Sequence, residues 1–144
     1  MKVTVNKIPE GSPENAVINA VNIDDNISAA VSLLENGERT LVGYKDGDKF
    51  LIKEPAVYYA EAVDEKCFVY TKDSCYELKQ KLYELEAMLD FRFVRVSKSM
   101  VLNIKKIKSV KTAENARMNA ALLNGEQVVI SRSYVKDLKK RLGL

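Results

Sequence analysis

The 144 residues, 47% of them hydrophobic, suffice for one domain with a substantial core, and the net charge is a modest +3. The chain contains no histidine, which excludes a histidine general base, Ser/His/Asp and Cys/His nucleophile pairs, and histidine-ligated zinc. The few glycines never fall into GxGxxG or a Walker-type spacing, so no phosphate-cradling loop is predicted, and neither an enzyme nor a cofactor is expected.

Along the chain, KVTV and AVINAV read as short strands separated by the turn-forming PEGSPEN. Asp24 or Asp25 then caps a predicted helix reaching about Glu35. Its apolar positions Ile27, Val31 and Leu34 make one inward face, and Gly37 ends it. RTLVGYK and KFLIK flank Asp46-Gly47, a pair suited to a hairpin turn. AVYYAEA leads to the turn Asp64-Glu65-Lys66, and CFVYT and CYEL surround Lys72-Asp73-Ser74.

A helix is predicted from about Lys79 to Leu89, with Leu78, Leu82, Leu85 and Leu89 at helical spacing. Ser74 with Glu77 would also suit a capping box that starts this helix earlier, but the aromatic and β-branched residues before CYEL need a strand partner. After Asp90 the pattern alternates again, with Phe91, Phe93, Val94, Val96, Met100 to Leu102, Ile104, Ile107 and Val110 apolar and basic residues between them. MNAALL and EQVVIS flank Asn124-Gly125, a hairpin turn in which both central residues tolerate positive φ. Ser131 or Ser133 caps a last helix whose apolar face is Val135, Leu138 and Leu142. No apolar run approaches the roughly 20 residues that span a bilayer, and the N-terminus lacks the apolar stretch of a signal peptide, so a cytoplasmic location is expected. Cys67 and Cys75 lack CxxC spacing and read as reduced, small core residues.

Charge is unevenly divided. Residues 1–56 carry 6 basic and 9 acidic residues, net −3, whereas residues 57–144 carry 17 and 11, net +6. The segment FRFVRVSKSMVLNIKKIKSVK holds Arg92, Arg95, Lys98, Lys105, Lys106, Lys108 and Lys111 with no acidic residue among them, and Arg132, Lys136, Lys139, Lys140 and Arg141 close the chain. Clustered cations suit a partner with phosphates. Lysines on strand edges also block sheet-to-sheet pairing, and cations in a last helical turn complement the helix dipole.

The order YYAEA, hairpin, helix ending YELEAML, then FRFVRVSKSMVLNIKKI, then LLNGEQVVISRSYVKDLKKRL resembles the LytTR family over residues 41–144. The resemblance implies an α+β, mainly β fold of antiparallel sheets with short helices, here with a strand-helix extension over residues 1–40. It implies a stand-alone transcription regulator that binds double-stranded DNA at paired promoter repeats by inserting loops, in place of a recognition helix, into successive major grooves.

Three places correspond to the base-reaching loops. At the Asp64-Glu65-Lys66 turn, Lys66 is the candidate, with an ordinary solvated lysine as the plain alternative. In VSKS, Ser97, Lys98 and Ser99 combine a charge with hydroxyls; many relatives carry histidine where this chain has Ser97, which makes Lys98 the preferred reader. In ISRSY, Arg132 lies between Ser131 and Ser133, and its planar fork suits guanine O6 and N7, with a surface salt bridge as the rival reading. Lys105, Lys108 and Lys136 are expected to bind phosphate, while Asn103 is expected to bond turn backbone.

The N-terminal forty residues are expected to pad the core or to make a homodimer interface, and regulators of this type often work with a small membrane protein. Two other readings remain in view. An RNA-binding β module would use tyrosines such as Tyr58, Tyr59, Tyr70, Tyr76 and Tyr83 as stacking platforms, and an anti-activator would keep the fold without DNA affinity.

Overall fold

The computed structural model describes residues 1–144. In chain order the elements are α1 (Asp25–Asn36), β1 (Thr40–Lys45), β2 (Asp48–Lys53), β3 (Tyr59–Val63), β4 (Lys66–Tyr70), β5 (Cys75–Leu78), α2 (Leu82–Met88), β6 (Phe93–Ser97), β7 (Met100–Asn103), β8 (Ile107–Thr112), β9 (Met118–Leu122), β10 (Gln127–Ile130) and α3 (Arg132–Leu142). The strands form two antiparallel sheets, one of seven in the order β2-β1-β5-β4-β3-β7-β6 and one of three in the order β10-β9-β8. Short turns join β1 to β2, β3 to β4, β4 to β5 and β6 to β7, whereas β1 with β5 and β3 with β7 pair across longer connections.

The Asp46-Gly47 turn (φ 52° and 83°) and the Asp64-Glu65 turn (φ 50° and 64°) place both central residues in the left-handed region, as the twist of a tight hairpin demands. At Asn124-Gly125 the hairpin forms as expected, but only Gly125 has positive φ (90°). The Gly125 N–H donates to the Leu122 carbonyl (3.0 Å) and the Leu122 N–H to the Glu126 carbonyl (2.8 Å), the bonding of a turn followed by a glycine bulge. Gly43 in β1 is required by close approach, since a Cβ there would stand 2.6 Å from Tyr76 Cβ on β5.

The end of the large sheet formed by β3, β7 and β6 serves two cores. Ala60, Phe93 and Val101 face one core with Leu41, Val57, Val69, Leu82 and Leu85. Their neighbours Tyr59, Val94 and Leu102 face the other, with Met118, Ala120, Leu122, Val128, Ile130 and Leu138. Strands covered on both faces read as near-continuous apolar runs, which explains FRFV and MVL. Cys67 is buried, and burial pushes its thiol up to about 11, so it is inert packing material; Cys75 is half-buried. Asn103 is buried and does bond turn backbone: its Nδ2 donates to the Val57 carbonyl (2.8 Å) and its Oδ1 accepts from the Lys105 N–H (3.0 Å).

Four expectations are corrected. KVTV and AVINAV form no strands, because no strand pairs with them and Val3, Val5, Val17 and Val21 stay exposed. Residues 1–40 contain no buried side chain and therefore do not pad the core. Helix α1 forms, with Asp24 Oδ1 accepting from the Ile27 N–H (2.9 Å) and Gly37 at its C-cap, yet its apolar stripe does not pack inward. The small residues Ser28, Ala29 and Ser32 line the clefts over Leu89, Asp90 and Phe91, and this leaves Val31 and Leu34 exposed. The second helix starts at Leu82, not Lys79, because Leu78 is still paired with Cys67 in the sheet.

One carboxylate is buried beside the first core. Glu54 Oε1 accepts from the Asp90 N–H (3.1 Å), and Arg92 grips Asp90 (2.6 Å) while lying 3.8 Å from Glu54; Arg39 lies 3.5 Å from the other Glu54 oxygen. Burial raises the Glu54 carboxyl above its ordinary 4.5, partly offset by the Asp90 N–H. Burial would raise Asp90 as well, but the Arg92 hydrogen bonds and charge hold it below 3.8. The signs are opposite. The stability contributed by Glu54 is full below 4.5 and is lost as pH rises through its elevated value, whereas that of Asp90 is present above 3.8 and is lost as pH falls through its lowered value. Glu54→Gln is expected to remove the upper loss and keep the lower one. Urea melts of both proteins between pH 3 and 7 check this, and an identical upper slope in the variant would assign that loss to another group.

Candidate nucleic-acid interface

The register of the strands decides which turns share an end of the sheet. β3 and β7 pair with Glu61 opposite Met100, and the Ala62 N–H donates to the Ser99 carbonyl (2.8 Å), so the β3–β4 turn and the β6–β7 turn lie side by side. The Ser131 N–H donates to the Val96 carbonyl (2.9 Å), which fastens the start of α3 to the end of β6. Asp64-Glu65-Lys66, Ser97-Lys98-Ser99 and Ser131-Arg132-Ser133, far apart in sequence, thus form one ridge.

The ridge is held rigidly from beneath. A register shift between Arg95 and Ser97 marks a bulge that re-aims the end of β6. Arg95 Nε donates to the Ser97 carbonyl (2.8 Å), its Nη2 to the Lys98 carbonyl, and its Nη1 to Glu86 Oε2 on α2 (2.6 Å). Ser97 Oγ accepts from the Ser99 N–H (3.2 Å). The two serines and Arg95 therefore shape the turn, and the exposed side chain of Lys98 crowns it. At the neighbouring turn Lys81 Nζ donates to the Glu65 carbonyl (3.3 Å). The sequence groups Arg95 with the clustered cations and reads Lys81 as a water-facing partner of Glu84 or Glu86; both buttress turns, which only their tertiary partners reveal.

Electrostatics separates the cations further. Lys66 opens β4 and pairs with Glu77 at 3.6 Å. Arg39, Lys53, Arg92 and Arg95 are also paired with carboxylates. Lys98, Arg132 and Lys136 are exposed and belong to none of these pairs. Ser131 caps α3 through its backbone position, with no hydrogen bond from its hydroxyl to the helix, while Arg132, Ser133 and, one turn on, Lys136 are exposed. Lys105 and Lys108 are not brought to the ridge. Lys105 follows the far end of β7, its Nζ 5.8 Å from the Phe91 ring centre, and Lys108 lies near the start of β8, opposite the end of the strand that approaches the ridge.

Four of the five candidate stacking tyrosines are taken up by packing, while Tyr83 on α2 is exposed. Tyr58 and Tyr59 are buried, Tyr59 stacks on Tyr70 with centroids 4.5 Å apart, and Tyr76 packs on Phe50. Tyr59 Oη donates to Glu126 Oε2 (2.8 Å), and burial together with that bond raises its pKa.

Residues 48–143 match the LytTr DNA-binding domain family. A protein of Staphylococcus aureus (strain NCTC 8325) named as an uncharacterized HTH-type transcriptional regulator is 29% identical over 129 residues, 88% of either chain. Its counterpart in strain COL is equally similar. Among solved structures, the LytTr DNA-binding domain of a methyl-accepting/DNA response regulator from Bacillus cereus superposes with a TM-score of 0.70 at 26% identity, over 73% of this chain and 97% of that one. Although the relatives' names carry the term HTH-type, no two helices of this chain are joined by a short turn: α1 ends at Asn36, α2 spans Leu82–Met88 and α3 begins at Arg132.

Arg95→Ala is expected to destabilise the protein by about 2 kcal/mol, since three charge-assisted bonds are lost and two carbonyls are left without that donor. It should also speed hydrogen exchange at the Ser99 amide more than at the Val101 amide. Thermal melts and exchange NMR check this; uniform exchange across both positions would mean that Arg95 does not hold the turn specifically.

Proposed function

Since the chain belongs to the LytTR DNA-binding domain family, we propose that it is a transcription regulator that grips double-stranded DNA along the ridge of three turns. The observation that carries this reading is the Ser131–Val96 backbone bond, which sets Arg132 beside Lys98 on one rigid edge, both free of carboxylate partners. The ridge enters the major groove, where Arg132 bonds guanine O6 and N7 and Lys98 reads an adjacent acceptor. Asp64 and Glu65 suit the exocyclic amine of cytosine, not phosphate. The exposed Ser133 hydroxyl, that of Ser131, the free N–H groups of the first turn of α3, and Lys136 fix register on phosphates. Ser97 and Ser99 act mainly by shaping the turn. Lys66, paired with Glu77, contributes least, and Lys105 and Lys108 lie outside the footprint.

Duplex titrations of purified protein on its own upstream region, against scrambled duplex and single-stranded RNA, test the reading. Cognate duplex should be preferred at the higher salt. Arg132→Ala should weaken cognate binding by about 1 to 3 kcal/mol with nonspecific affinity spared. Lys136→Ala should flatten the salt slope by about 0.9 per lost contact, whereas Lys105→Ala and Lys108→Ala should leave it unchanged. Equal loss on cognate and scrambled DNA for Arg132→Ala would reject base reading, and a preference for RNA would reject the duplex. Burial of Tyr58 and Tyr59 and the stacking of Tyr59 on Tyr70 leave Tyr83 as the one exposed member of the five candidate stacking tyrosines, which weakens the RNA reading.

Paired repeats suit a homodimer, and the exposed apolar residues Ile23, Val31 and Leu34 at and before α1 are the surface we assign to the second copy. Val31→Glu with Leu34→Glu should convert a dimer to a monomer in light scattering with the fold intact. A wild-type protein that stays monomeric both free and on a paired-repeat duplex would remove this element. The same face would also serve a small membrane protein partner, which would appear in the assay as a monomer that binds such a protein.

A further inference from the structure

β9 and β10 pair with Met118 opposite Ile130. Arg117 and Ser131 are the residues next to this last pair, one just before β9 and the other just after β10. The Ala113 N–H donates to the Arg117 carbonyl (2.9 Å), which closes the β8–β9 connection, residues 113–117, and α3, whose first residues belong to the ridge, packs against it.

This connection reverses without glycine. Asn115 (φ 57°) and Ala116 (φ 59°) both occupy the left-handed region, and the Arg117 N–H donates to the Glu114 carbonyl (3.2 Å), closing a tight turn. Asparagine suits such a turn, but alanine takes the place where glycine is preferred, at a cost of about 1 kcal/mol. Strain of this kind persists where surrounding contacts over-determine the backbone, and here α3 packs against the turn. The held conformation aims Arg117 outward. Its side chain is exposed, its Nε donates only to the Glu114 carbonyl (3.2 Å), and no carboxylate pairs with it. Lys111, two residues before the turn, is exposed and likewise unpaired. The nearby acids Glu114 and Asp137 are exposed and engage no cation in an ion pair.

We propose that residues 113–117 are a fourth DNA-contacting segment, in which Arg117, supported by Lys111, clamps a backbone phosphate flanking the groove that Arg132 enters. The contact rests on the duplex-binding reading above and extends its footprint on one side only. A guanidinium on a rigid turn meets a phosphate bidentately with little ordering cost, and neutralising one phosphate makes binding more salt-dependent without selecting sequence.

The test uses the full chain in anisotropy titrations over a range of salt and in hydroxyl-radical footprints on its upstream DNA. Arg117→Ala should weaken binding about five-fold on cognate and scrambled duplex alike, flatten the salt slope by about 0.9, and lose protection on the outer flank of each half-site while the inner positions stay protected. Arg117→Lys should keep the slope. Ala116→Gly suits the positive φ and retains Arg117, so it should keep the salt slope and lose far less than Arg117→Ala. An unchanged slope and complete footprint in Arg117→Ala overturns the proposal. It also fails if Ala116→Gly and Arg117→Lys lose as much as Arg117→Ala, since turn shape and not the cation would then be responsible. Failure of the duplex reading itself would show separately, as absent duplex preference in the wild-type protein.

Discussion

The structure depends on a stretch of sheet that is buried on both faces. Ala60, Phe93 and Val101 pack into one core, and the adjacent Tyr59, Val94 and Leu102 pack into the other. Once both faces of β3, β7 and β6 are covered, neither is open to a partner, and only the strand ends and their turns remain. The proposed use of turns, in place of a helix or an open sheet face, agrees with that constraint. The constraint also explains why the ridge is rigid, because each turn grows directly from a strand locked in place by two cores.

Rigidity is reinforced where charge must be presented. A lysine on a loose loop loses rotamer and backbone freedom on binding; a lysine on a turn held by Arg95, the Ser97 hydroxyl and the Ser99 amide loses far less. Cations thus divide into two working groups. Arg39, Arg92 and Arg95 are spent on carboxylates and carbonyls inside the fold, while Lys98, Arg132 and Lys136 keep their charge free for a partner. The same residue types serve both groups, and local sequence does not distinguish them. The separation arises from whether a carboxylate on another element arrives nearby, as Glu86 of α2 does for Arg95.

The N-terminal segment shows the converse limit. Alternating valines in KVTV satisfy every local criterion for a strand, yet a strand is stabilised by its cross-strand partners, and none comes near these residues. Helix α1 forms because its signals are local: Asp24 supplies the cap and Gly37 the stop. Its orientation is a different matter, since Ser28, Ala29 and Ser32 line the cleft beside Leu89 and Phe91 while the bulkier Val31 and Leu34 stay exposed. Placing the large residues outward leaves apolar surface available, a feature natural proteins retain where another surface covers it.

Sequence by itself determined the elements whose causes are local. The hairpins at Asp46-Gly47 and Asn124-Gly125, the strand CYEL, the caps of α1 and α3, the structural role of Asn103 and the mainly β architecture were all legible, because turn residues, alternation and caps act within a few positions of one another. The family was legible too, since its wording recurs in order across residues 48–143. Tertiary structure alone decided which turns meet, because that depends on strand register: Ala62 to Ser99 and Val96 to Ser131 are bonds between residues more than thirty positions apart. It separated Lys105 and Lys108 from the ridge, shaped an alanine-containing turn before Arg117 that no glycine signals, and left the apolar stripe of α1 exposed. Periodicity reports that a face is apolar, whereas what covers that face is settled only when the whole chain has packed.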